Sequence, residues 1–278
     1  MSSSETLLSA RGVGFTTGSR ALVRDASLSL ELSRVTVIVG PNGAGKSTLF
    51  KLMTGELAPT TGEIAIDGAA LPAIPGWELA CRRAVMAQHA RLSFPFAVHE
   101  VVRLGTDGVG RALDRRARDG LVADSLAAAD VLPLAHRAYQ TLSGGEQQRV
   151  QFARALCQLE AGRTVTQRQA LFLDEPIASL DLNHQLAVLD FARRTAARGV
   201  AVAIVLHDLN LAATFADRLV VMSEGRIVAQ GPPRAVLDDA LLARVFGIGL
   251  ALNRAPADGT PFLLPQQHRE ARPGQVAA

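Results

Sequence analysis

Apolar positions along the chain fall into short runs punctuated by turn residues, and the runs switch between two periods. Residues 7–15 and 26–32 carry clustered or alternating apolar side chains and predict strands. Residues 35–39, Val-Thr-Val-Ile-Val, are β-branched and end at Gly40, which predicts a buried strand running into a turn. A helix is predicted over 46–53, then a short strand over 62–68 with Gly62 and Gly68 as turn residues at its ends. Farther on, 143–159 reads as a helix, 170–173 as a strand, 181–198 as a helix and 201–206 as a strand. Leu182, Leu186 and Leu189 recur at helical spacing, so one face of that last helix is expected to pack inward.

Between these elements the texture changes. Residues 91–140 are rich in Ala, Leu, Arg and Asp with little β-branching, which predicts a mostly helical insertion, extending to about residue 160. The polar stretch 160–169 reads as a surface loop, and the Pro- and Gln-rich residues 255–278 as a tail with a disordered end. Strands alternating with helices predict an α/β fold around a largely parallel sheet covered on both faces.

At 278 residues the chain fits one such unit, here placed at 1–254. Hydrophobic residues make up 48% and aromatic ones only 4%, so the core must be aliphatic. A net charge of +3 with no Lys/Arg block argues against a nucleic-acid partner; Arg115, Arg116 and Arg118 lie between Asp114 and Asp119. Two cysteines, Cys81 and Cys157, form no CxxC pair and no disulfide framework, which points to a reducing compartment. The start of the chain lacks the basic and apolar regions of a signal peptide. The longest apolar run, 200–206, falls far short of the ~20 residues that span a bilayer. Action at a membrane would need a partner that spans it.

Three segments carry chemistry. Gly40-Pro41-Asn42-Gly43-Ala44-Gly45-Lys46-Ser47-Thr48 fits G-x-x-x-x-G-K-[ST] between a predicted buried strand and a helix. The glycines let backbone N–H groups converge on a polyphosphate, Lys46 adds a point charge, and the Ser47 hydroxyl suits a Mg²⁺ ligand. Lys46 and Lys51 are the only lysines in an arginine-rich chain, consistent with a task the guanidinium cannot do. Asp174 and Glu175 end the strand over 170–173. Ligands bind at the carboxyl ends of such strands, so Asp174 is placed to hold the metal and Glu175 to polarise an attacking water. Leu142-Ser143-Gly144-Gly145-Glu146-Gln147-Gln148-Arg149 opens a helix and reads as a second anion site. Two separated phosphate sites in one chain make sense if two copies pair head to tail, each closing the other's nucleotide.

In this order of motifs, residues 7–250 resemble the nucleotide-binding subunits of ABC transporters. The resemblance implies the ABC ATPase fold: a P-loop core with a mostly parallel sheet, an antiparallel β subdomain and a helical insertion. It implies ATP and Mg²⁺ as ligands, with residues 40–48 as Walker A, and Asp174 and Glu175 as Walker B and the catalytic glutamate. Gln88 matches the Q-loop glutamine that senses the γ-phosphate and Mg²⁺. Ser143, Gly144 and Gly145 match the signature that contacts ATP on the opposite subunit. Ser179-Leu180-Asp181 matches the D-loop, and His207 the switch histidine. Where the family places an adenine-stacking aromatic residue, this chain has Thr17, and Phe15 is the nearest aromatic.

Residues 88–96 and 98–105, with Pro261-Phe262-Leu263-Leu264-Pro265, look like bacterial haem importer ATPases of the iron-siderophore and vitamin B12 import group. That implies a homodimer on two transmembrane permease subunits at the cytoplasmic face of the inner membrane, served indirectly by a periplasmic binding protein. Ferric siderophore or cobalamin import is the alternative cargo. A soluble ABC-type ATPase of DNA repair or translation is a distant one, since the insertion is short and the motifs occur once. His89, His99 and His136 are read as surface or helix-contact residues, because a motor subunit needs no cargo ligand.

Overall fold

The computed structural model describes residues 5–87, 94–110, 113–249 and 252–254. Ten strands occur among them: β1 Thr6–Thr17, β2 Arg20–Glu31, β3 Val35–Val39, β4 Thr61–Ile66, β5 Ala69–Ala70, β6 Arg83–Met86, β7 Ala170–Asp174, β8 Ala201–Val205, β9 Arg218–Ser223 and β10 Arg226–Gly231. The larger sheet has the order β10-β9-β3-β8-β7-β6, parallel except for β10 at one edge. The smaller sheet, β2-β1-β4-β5, is antiparallel.

Every residue of β3, β7 and β8 is buried, which is why these strands read as unbroken apolar runs. Their side chains alternate between two cores. Val37, Val39, Leu171, Leu173, Val202 and Ile204 face one core, while Ile38, Phe172, Ala203 and Val205 face the other. Helix α1, Lys46–Thr54, covers the second face together with the antiparallel sheet. Phe50 of α1 meets Phe172 of β7 edge to face, with centroids 5.5 Å apart.

The chain continues through α2, Gly76–Arg82, into the insertion, which holds α3, Val98–Arg103, and α4, Arg115–Ala128. Helices α5, Gly144–Gly162, α6, Leu182–Ala197, and α7, Leu209–Phe215, cover the first face of the sheet. Helix α3 shares a core with them: Val98, Val101 and Val102 pack in one cluster with Val150 and Leu156 of α5.

Strand β2 starts at Arg20 rather than residue 26, and its hairpin partner β1 runs on to Thr17. Residues 160–169 are only in part a surface loop, because α5 continues through Gly162. Gln169 is buried, and its amide donates to the carbonyls of Cys81 and Leu159, each at 2.9 Å. Leu182 is 45% exposed; the inward face of α6 is Val188, Leu189, Ala192, Thr195 and Ala196. The tail, 255–278, lies outside the described residues.

Candidate nucleotide site

Residues 40–45 turn from β3 into α1 with Gly40, Gly43 and Gly45 at φ 155°, 77° and 96°. A Cβ on Gly40 would sit 2.2 Å from the Met222 carbonyl of β9, and one on Gly45 2.5 Å from the Leu22 carbonyl of β2. Backbone from both sheets therefore presses on the loop, and only glycine lets it pass. Helix α1 has no side-chain cap and no acidic residue in its first turn. Its leading N–H groups thus keep their positive end uncompensated by protein side chains. Lys46 is 5% exposed and donates from Nζ to the carbonyls of Gly40 at 2.8 Å and Pro41 at 3.0 Å. Burial lowers its pKa, opposed by the nearby carboxylates of Glu175 and Asp174. Asn42 and Gly43 are exposed at the rim of the loop, and Ser47 and Thr48 are half-buried in the first turn of α1.

Asp174 ends β7. Its Oδ1 is buried with no hydrogen-bond partner, and burial, with the Glu175 charge beside it, pushes its pKa up to about 6. Lys51 and Lys46 oppose the shift. An orphaned carboxylate oxygen beside a phosphate-type loop fits a hard divalent cation or one of its waters.

Glu175 follows with φ 50°, a left-handed backbone on a non-glycine residue. Such a conformation costs on the order of 1–3 kcal/mol and persists only where the surroundings enforce it. Here its N–H donates to the Val205 carbonyl at 3.2 Å. Its Oε1 lies 2.5 Å from Nε2 of His207, which follows β8. A cleft of about 160 Å³ opens beside the pair, lined also by Ile177, Ala178, Gln185 and Leu206. The parallel register thus brings Lys46, Asp174, Glu175 and His207 to the carboxyl ends of the neighbouring strands β3, β7 and β8.

Ser143 caps α5, but its hydroxyl is already engaged. Glu146 Oε2 accepts from the Ser143 N–H at 2.8 Å and from its Oγ at 2.9 Å, and the Glu146 N–H returns to Oγ at 3.3 Å. The backbone bond from Ser143 comes first among the causes that hold the Glu146 carboxyl below its usual pKa. Gly144 and Gly145 pack beside the 175–181 loop, where a Cβ on Gly145 would lie 3.1 Å from the Ser179 carbonyl. Among the described residues, no hydrogen bond or ion pair joins Ser143–Gly145 to residues 40–48 of the same chain.

Gln88 lies outside the described residues. Thr17 is exposed at the β1–β2 turn, and Phe15 packs against the second core. His99 and His136 touch ring to ring at 5.3 Å, and His99 Nδ1 is 2.9 Å from the Ala135 carbonyl, a contact within the insertion. Gln148, named above only as part of the 142–149 segment, and Gln185, not singled out, hold the 175–181 loop through their amides. Their partners lie in a turn without periodicity, and only the folded chain brings them there.

Residues 23–178 match the ABC transporter family. The chain is 48% identical over 252 residues to the hemin import ATP-binding protein HmuV of Agrobacterium fabrum, covering 90% of this chain and 95% of that protein. It is 46% identical over 259 residues to the protein of the same name from Rhodopseudomonas palustris, with 93% and 94% covered. In structure it resembles a nucleotide-free ATP-binding cassette from an ABC transporter, with TM-score 0.74, 22% identity, and 87% and 98% of the two chains covered. A dimeric ATP-binding cassette in a post-hydrolysis state with ADP and Pi gives TM-score 0.69 at 23% identity, with 82% and 99% covered. The chain belongs to the ABC transporter family and is a nucleotide-binding ATPase of that family.

Proposed function

We propose that this ATPase drives import of haem across the bacterial inner membrane, working as a homodimer on two permease subunits at the cytoplasmic face and served by a periplasmic binding protein. Residues 1–254 form the ATP-binding unit, with the insertion over about 91–160, and 255–278 are its tail. The observation that carries the motor is the convergence of Lys46, Asp174, Glu175 and His207 on one edge of the sheet. The cargo is supported by the 48% identity to a hemin import ATP-binding protein. No helix among the described residues is long and apolar enough to cross a membrane, so the path for the cargo is assigned to the permeases.

In this reading the N–H groups of residues 40–48 receive the phosphates of ATP. Lys46 exchanges the carbonyls of Gly40 and Pro41 for phosphate oxygens. A Mg²⁺ held by Ser47, Asp174 and Gln88 would neutralise charge on the β- and γ-phosphates. Glu175 accepts a hydrogen bond from the attacking water, whose oxygen bonds to the γ-phosphorus as the bond to the ADP oxygen breaks. His207, tied to Glu175, fixes the carboxylate's direction and can donate to the γ-phosphate. The Ser143–Gly145 end of α5 meets ATP held by the opposite copy. Because the γ-phosphate bridges both copies, its loss favours reopening, and the insertion passes that movement to the permease.

The test is ATPase activity of the complex in liposomes with its permease and binding protein. Stimulation by the haem-loaded binding protein, abolished by Glu175→Gln, is the expected result. Stimulation only by a ferric siderophore or cobalamin system would keep the motor and replace the cargo. Salt-sensitive nucleic-acid binding, with no response to any permease, would return the chain to a soluble ATPase role.

A further inference from the structure

The turn from β7 to α6 carries Glu175 at one end and Asp181, the cap of α6, at the other. It has no regular ladder: the Ala178 N–H donates to the Glu175 carbonyl at 3.4 Å and the Leu180 N–H to the Ile177 carbonyl at 3.2 Å, and side chains supply further partners. Gln148 of α5 supplies two. Its Nε2 donates to the Glu175 carbonyl at 2.8 Å, and its Oε1 accepts from the Ser179 N–H at 3.2 Å. Only a side chain with a donor and an acceptor at one tip makes both bonds. Gln185 donates to the carbonyls of Ile177 and Leu180, farther along the turn. The Gln148 bond therefore acts on the peptide next to the left-handed Glu175, opposite the bond from its N–H to Val205. Gln148 also lies three residues beyond Gly145, so the same helical turn joins the Ser143–Gly145 end to the Glu175 backbone.

We propose that Gln148 is a positioning residue: it holds the Glu175 carboxylate in line for hydrolysis and ties that alignment to the N-terminal turn of α5. The inference rests on the reading of Glu175 as the group that orients the attacking water. Since α5 meets the nucleotide of the opposite copy in that reading, Gln148 would link the two ATP sites of the dimer through one chain.

The experiment uses the full-length chain and two variants. Gln148→Met keeps the length and loses both bonds, and Gln148→Glu keeps an acceptor and loses the donor to Glu175. Steady-state hydrolysis should show kcat reduced about tenfold or more in both, with KM for Mg·ATP and directly titrated ATP affinity within about twofold. In a Glu175→Gln background, adding Gln148→Met should leave the residual rate unchanged within about twofold, because effects through one carboxylate do not multiply. The ATP-dependent dimer of Glu175→Gln should survive the second substitution. An unchanged kcat in both variants would overturn the proposal. So would an equal loss with and without the Glu175 carboxylate, or loss of the ATP-dependent dimer; either would make Gln148 a support for α5 itself. If Glu175→Gln alone hydrolyses ATP at the unmodified rate, the reading of Glu175 fails first and the proposal goes with it.

Discussion

Helix α1 begins behind Gly45, with no side chain over its first turn, whereas α5 begins behind Ser143, whose hydroxyl and Glu146 carboxylate already occupy that position. Carboxylates also lie beside both ends. Of those near α1, Asp174 is buried and has a raised pKa, and the one on α5, Glu146, is half-buried and has a lowered pKa. An open helix end can take a phosphate with no capping side chain to displace. A self-capped end must give up internal bonds, and it holds a negative charge where an anion would sit. Both ends carry glycines and a hydroxyl in the sequence, so they look alike there. The structure separates them into an uncapped end and a self-capped one, which supports the proposal that the first is the primary cradle and the second meets a nucleotide already held by another copy.

The comparison breaks most severely at Gly45. Gly45→Ala puts a Cβ 2.5 Å from the Leu22 backbone carbonyl at φ 96°, with a cost on the order of 1–3 kcal/mol from the backbone conformation alone. ATP binding should be lost. Gly145→Ala, with its Cβ 3.1 Å from the Ser179 carbonyl, should leave ATP affinity of the single chain intact. Thermal unfolding and fluorescent-nucleotide titration of the pair check this.

The buried carboxylate gives the next effect. Asp174 has its pKa raised to about 6 from 3.8, so between those values the folded chain binds more protons than the unfolded one. Stability without nucleotide or metal should therefore fall as pH rises from about 4 to about 6, by up to about 3 kcal/mol, and level off above. Asp174→Asn should remove that fall, as read by denaturant unfolding in EDTA at several pH values.

Lys46→Ala removes the point charge at the open end. ATP affinity should drop by about 30-fold, the equivalent of about 2 kcal/mol for a charged hydrogen bond. Isothermal titration with Mg·ATP would show it, and an affinity within a factor of two of the parent would count against the role of Lys46. Ser143→Ala is the mildest change. It removes the α5 cap at about 1 kcal/mol of stability and should leave ATP binding by the single chain unchanged.

The cradle was legible in the sequence because it is local: a buried β-branched strand, three glycines and Lys46-Ser47 fall in one stretch of chain. Asp174 and Glu175 were legible for the same reason, at the end of an apolar run. The capping role of Glu146 is written in the chain as Ser-x-x-Glu, but Gly144 and Gly145 between them equally fit an anion site. The start of β2 at Arg20 was hidden by the polar residues of an exposed hairpin, and Gln169 read as part of a polar loop because its partners, Cys81 and Leu159, come from other elements. Leu182 followed the helical period, but it sits one residue past the Asp181 cap, before α6 meets the core. Position in the element overrode periodicity there.

The central claim is that the open end of one chain and the capped end of another share a nucleotide. Light scattering on Glu175→Gln with saturating Mg·ATP tests it most directly. The account predicts a dimer that returns to monomer when ATP is omitted or when Ser143→Ala and Gly145→Ala are added together. A fully ATP-loaded protein that stays monomeric, or a dimer indifferent to those two substitutions, would contradict it.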